Sequence, residues 1–323
     1  MEVQTVTGPV DSADLGFTLM HEHVISANPE IMANYPGWWD EAADVAAARA
    51  ELTRLAGLGV GTLVDLTVIG LGRDVGRVRK IATSTGLHVI AATGVYAMDQ
   101  LPRFFTRRGP GTPNGGPDIL ETLFIRDISE GIADTGIRAG IIKCVTDERG
   151  LTRDVEHALR AAAVAHRATG VPITTHTSVA TQRGLDQQRV FAAEGVDLSR
   201  VIIGHSGDST DLDYLMRLMD AGSYIGMDRF GLDTVLPSQP RCETVAALAA
   251  RGYAAQMVLS HDAHCFSLSW DRGVRARVLP DYHLAFISTG VLPRLLKLGV
   301  SPEQIDQMMV ANPRDIFSRG GGY

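Results

Sequence analysis

Residues 140–178, GIIKCVTDERGLTRDVEHALRAAAVAHRATGVPITTHTS, read as strand, helix, strand. The runs GIIKCVTDE (140–148) and VPITTHTS (171–178) are rich in Val, Ile and Thr, and both end in polar residues. Between them, LTRDVEHALRAAAVAHRATG (151–170) has a helical pattern, with Thr152 as N-cap, Gly170 as its stop and Pro172 just beyond. Working outward, the same alternation recurs along the chain. Further strands are predicted at FTLMHEHV (17–24), TLVDLTVIG (62–70), HVIAATGVY (88–96), RVIIGHSGD (200–208), SYIGMDRFG (223–231) and QMVLSHDAH (256–264), with helix patterns such as DEAADVAAARAELTRLAGLG (40–59) between them. Near-continuous apolar strands mark a parallel sheet buried on both faces. Eight β-then-α units is the count of an α/β fold of the (β/α)8 TIM-barrel type, with a doubly wound sheet as the rival. No linker or composition shift divides the chain, so residues 1–323 are expected to form one domain.

Composition narrows the function classes. The 323 residues carry 30 Lys+Arg against 37 Asp+Glu, a formal charge of −7, which disfavours a nucleic-acid surface. No apolar run reaches the roughly 18 residues of a membrane span, and MEVQTVTGPVDSAD has no basic n-region followed by an apolar h-region. Cys144, Cys242 and Cys265 lie far apart with no CxxC, so a reducing cytoplasm is expected.

His21, His23, Lys143, His176, His205 and Asp262 all fall at or near C-terminal strand ends, the face where barrel enzymes build their sites. In His21-Glu22-His23, residues i and i+2 share a strand face, so both imidazoles reach one ion. His176, His205 and Asp262 come from strands 5, 6 and 8. Imidazole with carboxylate suits zinc, with Co2+, Fe2+ or Mn2+ as alternatives. Four histidines and an aspartate are more than one open catalytic ion needs, so two ions sharing a hydroxide are expected. Lys143 is the candidate bridge. An ammonium beside two cations is disfavoured by like charge, whereas a neutral amine captures carbon dioxide and becomes an anionic carbamate; the bland alternative is an ion-pair lysine.

LMHEHV, the lysine of IIKCVTDE, TTHTS, IGHSGD and LSHDA closely resemble the binuclear sites of the amidohydrolase superfamily, and more narrowly the phosphotriesterase family. The resemblance extends to VDLTVIGLGRD, GLDQQR, AEGVDLSR, MDRFGLD and ANPRDIF, nearly the whole chain. GVYAMDQLPRFF and MDRFGLD look most like the phosphotriesterase-like lactonases. The resemblance implies an N6-carboxylated Lys143 bridging the ions, with His21, His23 and Asp262 on the buried one and His176 and His205 on the more exposed one. It further implies a homodimer and hydrolysis of lactones, commonly N-acyl-homoserine lactones and hence quorum quenching, with weak organophosphate triesterase activity. Tyr96, Arg229 and Trp270 match lactone-pocket positions. The stretch HDAHCFSLSW departs from the pattern, with His264 where a cysteine is more usual. Phe266, Leu268 and Trp270 are expected to form an apolar tail channel.

In the mechanism this implies, the shared hydroxide attacks a polarised lactone carbonyl. Asp262 passes the proton to the leaving alkoxide, and Tyr96 hydrogen-bonds the carbonyl or oxyanion. Arg229 orders loop 7 or the pocket wall. The alternative within the class is a phosphotriesterase proper or another carboxylic-ester hydrolase. Rivals outside it are a Schiff-base lyase using Lys143 and a non-catalytic metal-binding barrel. No GxSxG occurs, which removes the serine-esterase route. His261 is expected to face away from the barrel interior in a structural role. His88, His157, His166 and His283 are read as surface or satisfied core residues, and Trp38-Trp39 as packing or dimer surface.

Overall fold

The computed structural model describes residues 1–323, with side chains for all of them except Arg272. Eight strands follow one another with helices between them: β1 (Phe17–Ser26), β2 (Val60–Asp65), β3 (His88–Gly94), β4 (Ile141–Thr146), β5 (Ile173–Thr177), β6 (Val201–Ile203), β7 (Tyr224–Met227) and β8 (Met257–Leu259). A ninth, β9 (His264–Ser267), lies parallel to β1 on its outer side of the sheet order β8-β7-β6-β5-β4-β3-β2-β1-β9. The sheet closes on itself. The Asp262 N–H donates to His21 O at 3.0 Å and the His23 N–H to Ala263 O at 2.9 Å, which joins the chain just past β8 to β1. The result is the expected (β/α)8 TIM barrel.

All eight expected strands are present, but the expected runs overshoot at their C-terminal ends: β6 stops at Ile203, β7 at Met227 and β8 at Leu259. The surplus residues are polar loop segments, where ladder hydrogen bonding gives way to the site. An N-terminal hairpin, Glu2–Thr5 with Gly8–Asp11, and β9 were not expected from the pattern.

Side chains alternate along the strands as a barrel requires. Val64, Ile90, Ile141, Ile202 and Val258 fill the interior, joined by Val3, Leu15 and Phe317. Leu63, Val89, Ile142, Ile203 and Leu259 face outward into the layer beneath the helices. Helix α1 (Glu41–Gly57) is capped by the Asp40 side chain on the Ala43 N–H and buries Val45, Ala48, Leu52 and Leu55 as one stripe. Helix α2 (Arg153–Thr169) is capped by Thr152 on the Val155 N–H and ends at Gly170, whose φ of +78° suits glycine. Across β1, Leu19 pairs with Leu63 and Glu22 with Asp65, so β1 carries one extra residue, a β-bulge. The bulge lets Met20 join the interior cluster while His21 and His23 both line the cavity at the mouth. No helix among the described residues is long and apolar enough to cross a membrane.

Candidate metal centre

A cavity of about 120 Å³ at the C-terminal mouth is lined by His21, His23, Lys143, His176, His205, Asp262, Tyr96, Leu71 and His264. All six residues expected to ligate metal therefore converge on one space. Asp262 stands at its centre. Its Oδ1 lies 3.2 Å from His23 Nε2 and 3.5 Å from His21 Nε2, and its Oδ2 lies 3.7 Å from His205 Nε2. The His205 ring stacks on His21 at 4.7 Å and meets His176 edge-on at 4.6 Å. His205 and Asp262 both have left-handed backbones, with φ of +57° and +56°. The chain turns sharply there to aim both side chains inward.

Among the described residues, two sets of three have ligand atoms within 4.8 Å of one another: His21, His23 and Asp262, and His21, His205 and Asp228. The two sets differ in kind. Asp228 Oδ2 sits 2.7 Å from His21 Nδ1, and its Oδ1 sits 2.9 Å from His205 Nδ1 and 2.8 Å from the His205 N–H. A carboxylate accepts only, so both Nδ1 atoms carry the proton and both Nε2 lone pairs are left for an ion. Burial alone would raise the Asp228 pKa, but His205 and His21 outweigh it and hold the group well below the carboxylate range. Asp228 thus orients two ligands at once. Room for it comes from glycines: a Cβ at Gly226 would lie 2.4 Å from Asp228 Oδ2, and one at Gly204 would lie 3.2 Å from it. Elsewhere the Thr67 hydroxyl meets His23 Nδ1 at 2.8 Å, and Asp147 lies 3.5 Å from His176 Nε2. Sequence reasoning missed Asp228, Thr67 and Asp147. The signal for Asp228 was its place at the end of β7 between the quoted Met227 and Arg229.

Lys143 is 1 % exposed, and its hydrogen-bond partner among the described residues is an imidazole, His21 Nε2, at 3.1 Å. No carboxylate oxygen of a described residue lies within 4.0 Å of Nζ, so the ion-pair reading fails. Burial, opposed by Asp262 and Asp228, brings its pKa down to about 8. The donor set fits divalent ions: buried neutral imidazoles, an ionised carboxylate and a lysine amine easily made neutral.

Tyr96 stands on the rim, with its hydroxyl 3.4 Å from His176 Nδ1, and burial together with Asp262 keeps the phenol protonated beyond its usual range. Arg229 bridges two carboxylates, Nε to Asp262 Oδ2 at 3.1 Å and Nη1 to Asp208 Oδ2 at 2.9 Å. It orders Asp262 and does not line the cavity. Phe266, Leu268 and Trp270 are not brought into the cavity either. Phe266 is buried edge-on against Trp39 at 4.6 Å, and Leu268 and Trp270 pack half-buried on the outer core. Past His264 the stretch packs on the outer layer beneath the helices, away from the mouth. His264 does line the cavity, stacked on His23 at 4.7 Å with an interplanar angle of 14°.

Three further histidines have structural partners. His261 pairs with Glu22 at 2.6 Å, His157 with Asp118 at 2.5 Å, and His166 with Val171 O and the Tyr323 hydroxyl.

The cavity histidines set a pH dependence. Burial lowers His21 from 6.5 to about 4 and His264 to about 3, and lowers His205 and His176 as well. Between those values and 6.5 the unfolded chain binds protons that the folded chain does not, so stability falls as pH drops. For His21 alone, the change from 6.5 to about 4 corresponds to about 3 kcal/mol. Chelator-treated protein should therefore show a urea midpoint that declines steadily from pH 6.5 to pH 4. A flat midpoint over that window contradicts neutral burial.

Comparison with known proteins completes the description. A model of the phosphotriesterase family matches residues 1–317. The phosphotriesterase homology protein of Mycobacterium tuberculosis is 53% identical over 323 residues, covering 100% of this chain and 99% of that protein. The aryldialkylphosphatase of Saccharolobus solfataricus is 38% identical over 312 residues, covering 96% of this chain and 97% of the relative. The solved structure of the phosphotriesterase from Mycobacterium tuberculosis superposes with a TM-score of 0.98 at 53% identity, over 100% of both chains.

Proposed function

This chain belongs to the phosphotriesterase family and is a hydrolase, and we propose that it opens lactones, N-acyl-homoserine lactones or other γ- and δ-lactones, with organophosphate triesters as poor side substrates. The observation that carries this reading is the confined cavity at the barrel mouth, about 120 Å³. A flat lactone ring placed edge-on fits a slot of this size, whereas a triester presents three arms to it.

Two divalent ions, zinc foremost, would be held by His21, His23, His176, His205, Asp262 and an N6-carboxylated Lys143. Bound there, they supply Lewis-acid polarisation of the carbonyl and a nucleophile at neutral pH. Lys143 reaches the bridging form when its neutral amine adds to carbon dioxide, forming an N–C bond and releasing one proton. Its burial and lowered pKa support that step. Asp262 takes the proton of the attacking water at its carboxylate and hands it to the leaving alkoxide, while Arg229 fixes Oδ2. The Tyr96 hydroxyl, protonated and on the rim, donates to the developing oxyanion. The acyl tail leaves the slot past His264, which lines the cavity wall. The exposed Tyr35–Trp38 stack, with ring centroids 5.0 Å apart, supports a homodimer, and the three free cysteines support a cytoplasmic setting.

The test is a hydrolysis screen of γ- and δ-lactones of graded tail length against a paraoxon-like triester. We expect kcat/KM for acyl-lactones to exceed that for the triester by orders of magnitude and to rise with tail length, each buried methylene contributing up to ~0.8 kcal/mol. Equal or better triester turnover overturns the lactone assignment in favour of a phosphotriesterase.

A further inference from the structure

The geometry points to Glu22 as the positioning residue that holds Asp262 in its metal-ligating pose, an inference that rests on Asp262 being a metal ligand. Glu22 lies between His21 and His23 in β1, so its side chain leaves the strand on the face opposite theirs. It is fully buried. Its Oε1 accepts from the His261 N–H at 3.0 Å, and its Oε2 accepts from the Ala263 N–H at 3.0 Å. Those N–H groups belong to the residues on either side of Asp262. The Asp262 N–H itself donates to His21 O at 3.0 Å. Three consecutive N–H groups are therefore tied to two adjacent residues of β1.

The tie has a purpose at Asp262, whose φ of +56° is a conformation that side-chain-bearing residues rarely adopt. Glu22 is in turn held by the His261 imidazole, whose Nδ1 lies 2.6 Å from Oε1 and whose Nε2 accepts the Ile287 N–H at 2.8 Å. One tripeptide, His21-Glu22-His23, thus supplies two ligands through its inward face and fixes a third through its outward one. Asp228 treats His205 in the same manner, taking the N–H of a ligand at φ +57°.

The test uses Glu22→Gln in the full chain. An amide matches the carboxylate in shape but offers one acceptor, so either the Ala263 N–H or the His261 pair meets an N–H instead of an oxygen. We expect chelator competition to show the metal held by His21, His23 and Asp262 weakened by at least about tenfold, the usual range for loss of a ligand-orienting partner. The His176 and His205 side should change less, and kcat should fall with KM unchanged. Asp262→Ala serves as the control. If it binds metal like the parent, the metal reading itself is wrong; if it loses metal while Glu22→Gln does not, only the present inference falls. Equal weakening of both ions, or a lower melting temperature with unchanged metal affinity, also overturns it. Should Glu22→Gln fail to fold, His261→Gln decides: it frees Glu22 while keeping both peptide donors. It is expected to weaken the same ion, and unchanged affinity there rejects the role.

Discussion

Lys143→Ala is expected to leave the purified protein nearly free of tightly bound metal. It should lower kcat/KM by at least about a thousandfold, since carbonyl polarisation and nucleophile generation each contribute several kcal/mol and are lost together. The expectation comes from where Lys143 sits. It is buried at 1 % exposure against His21 in the cavity that Asp262 also lines, with no acidic partner of its own within ion-pair distance among the described residues. A permanently charged ammonium in that place would face imidazoles and oppose the approach of any cation. A carbamate leaves the nitrogen neutral and puts a negative charge on the two oxygens added beyond it, and the lowering of the amine to about 8 makes the neutral, reactive form accessible near neutral pH. If Lys143 bridges as proposed, alanine removes that bridge and leaves a hollow of side-chain size, so short carboxylic acids should partly restore both metal and turnover. Lys143→Arg discriminates further, because a guanidinium stays protonated and does not add carbon dioxide. Near-parental turnover in Lys143→Arg, or a full metal complement in Lys143→Ala, is incompatible with the bridging role.

The barrel and the six converging residues were legible in the sequence for a common physical reason. A strand buried on both faces is mostly apolar, so a histidine or lysine at or near the C-terminal end of an apolar run stands out. His21 and His23 show their alternation, and His176, His205 and Asp262 each close a different run. What did not show was the support. Asp228 follows the apolar SYIGM and looks like an ordinary strand-ending acid; only the fold brings it against His21, 207 residues away. Glu22 was hidden by its neighbours, because the reading of HxH attends to the face that holds metal and not to the one that faces away. Phe266, Leu268 and Trp270 were placed in a channel from their apolar character, and Trp270 from the family resemblance as well. The pairing of β9 with β1, which turns Phe266 onto Trp39, depends on backbone register that no local pattern announces.

Asp228→Asn carries the second large expectation, and it follows from counting donors. Three N–H groups point at the Asp228 carboxylate: two from His205 on Oδ1 and one from His21 on Oδ2. Asparagine has one oxygen and one NH2. The oxygen is better spent on His205, which brings two donors, so the NH2 is left facing His21 Nδ1. His21 then avoids a donor–donor contact by moving its proton to Nε2, and a protonated Nε2 has no lone pair for an ion. The substitution changes no volume, and Gly204 and Gly226 accommodate the amide as they do the acid. The expected outcome is a folded protein with the His21 ion lost or weakened by about 10–100-fold and the His205 ion largely kept. Turnover should fall by up to about 10⁴-fold, as when an imidazole is forced into the wrong tautomer. Metal titration monitored by histidine ring NMR reads both effects separately. If both ions bind at parental strength and the His21 tautomer is unchanged, Asp228 does not set the ligand's proton, and its burial beside two histidines needs another explanation. If instead both ions are lost equally, the single-oxygen argument is wrong and the carboxylate acts through its charge on the whole cluster.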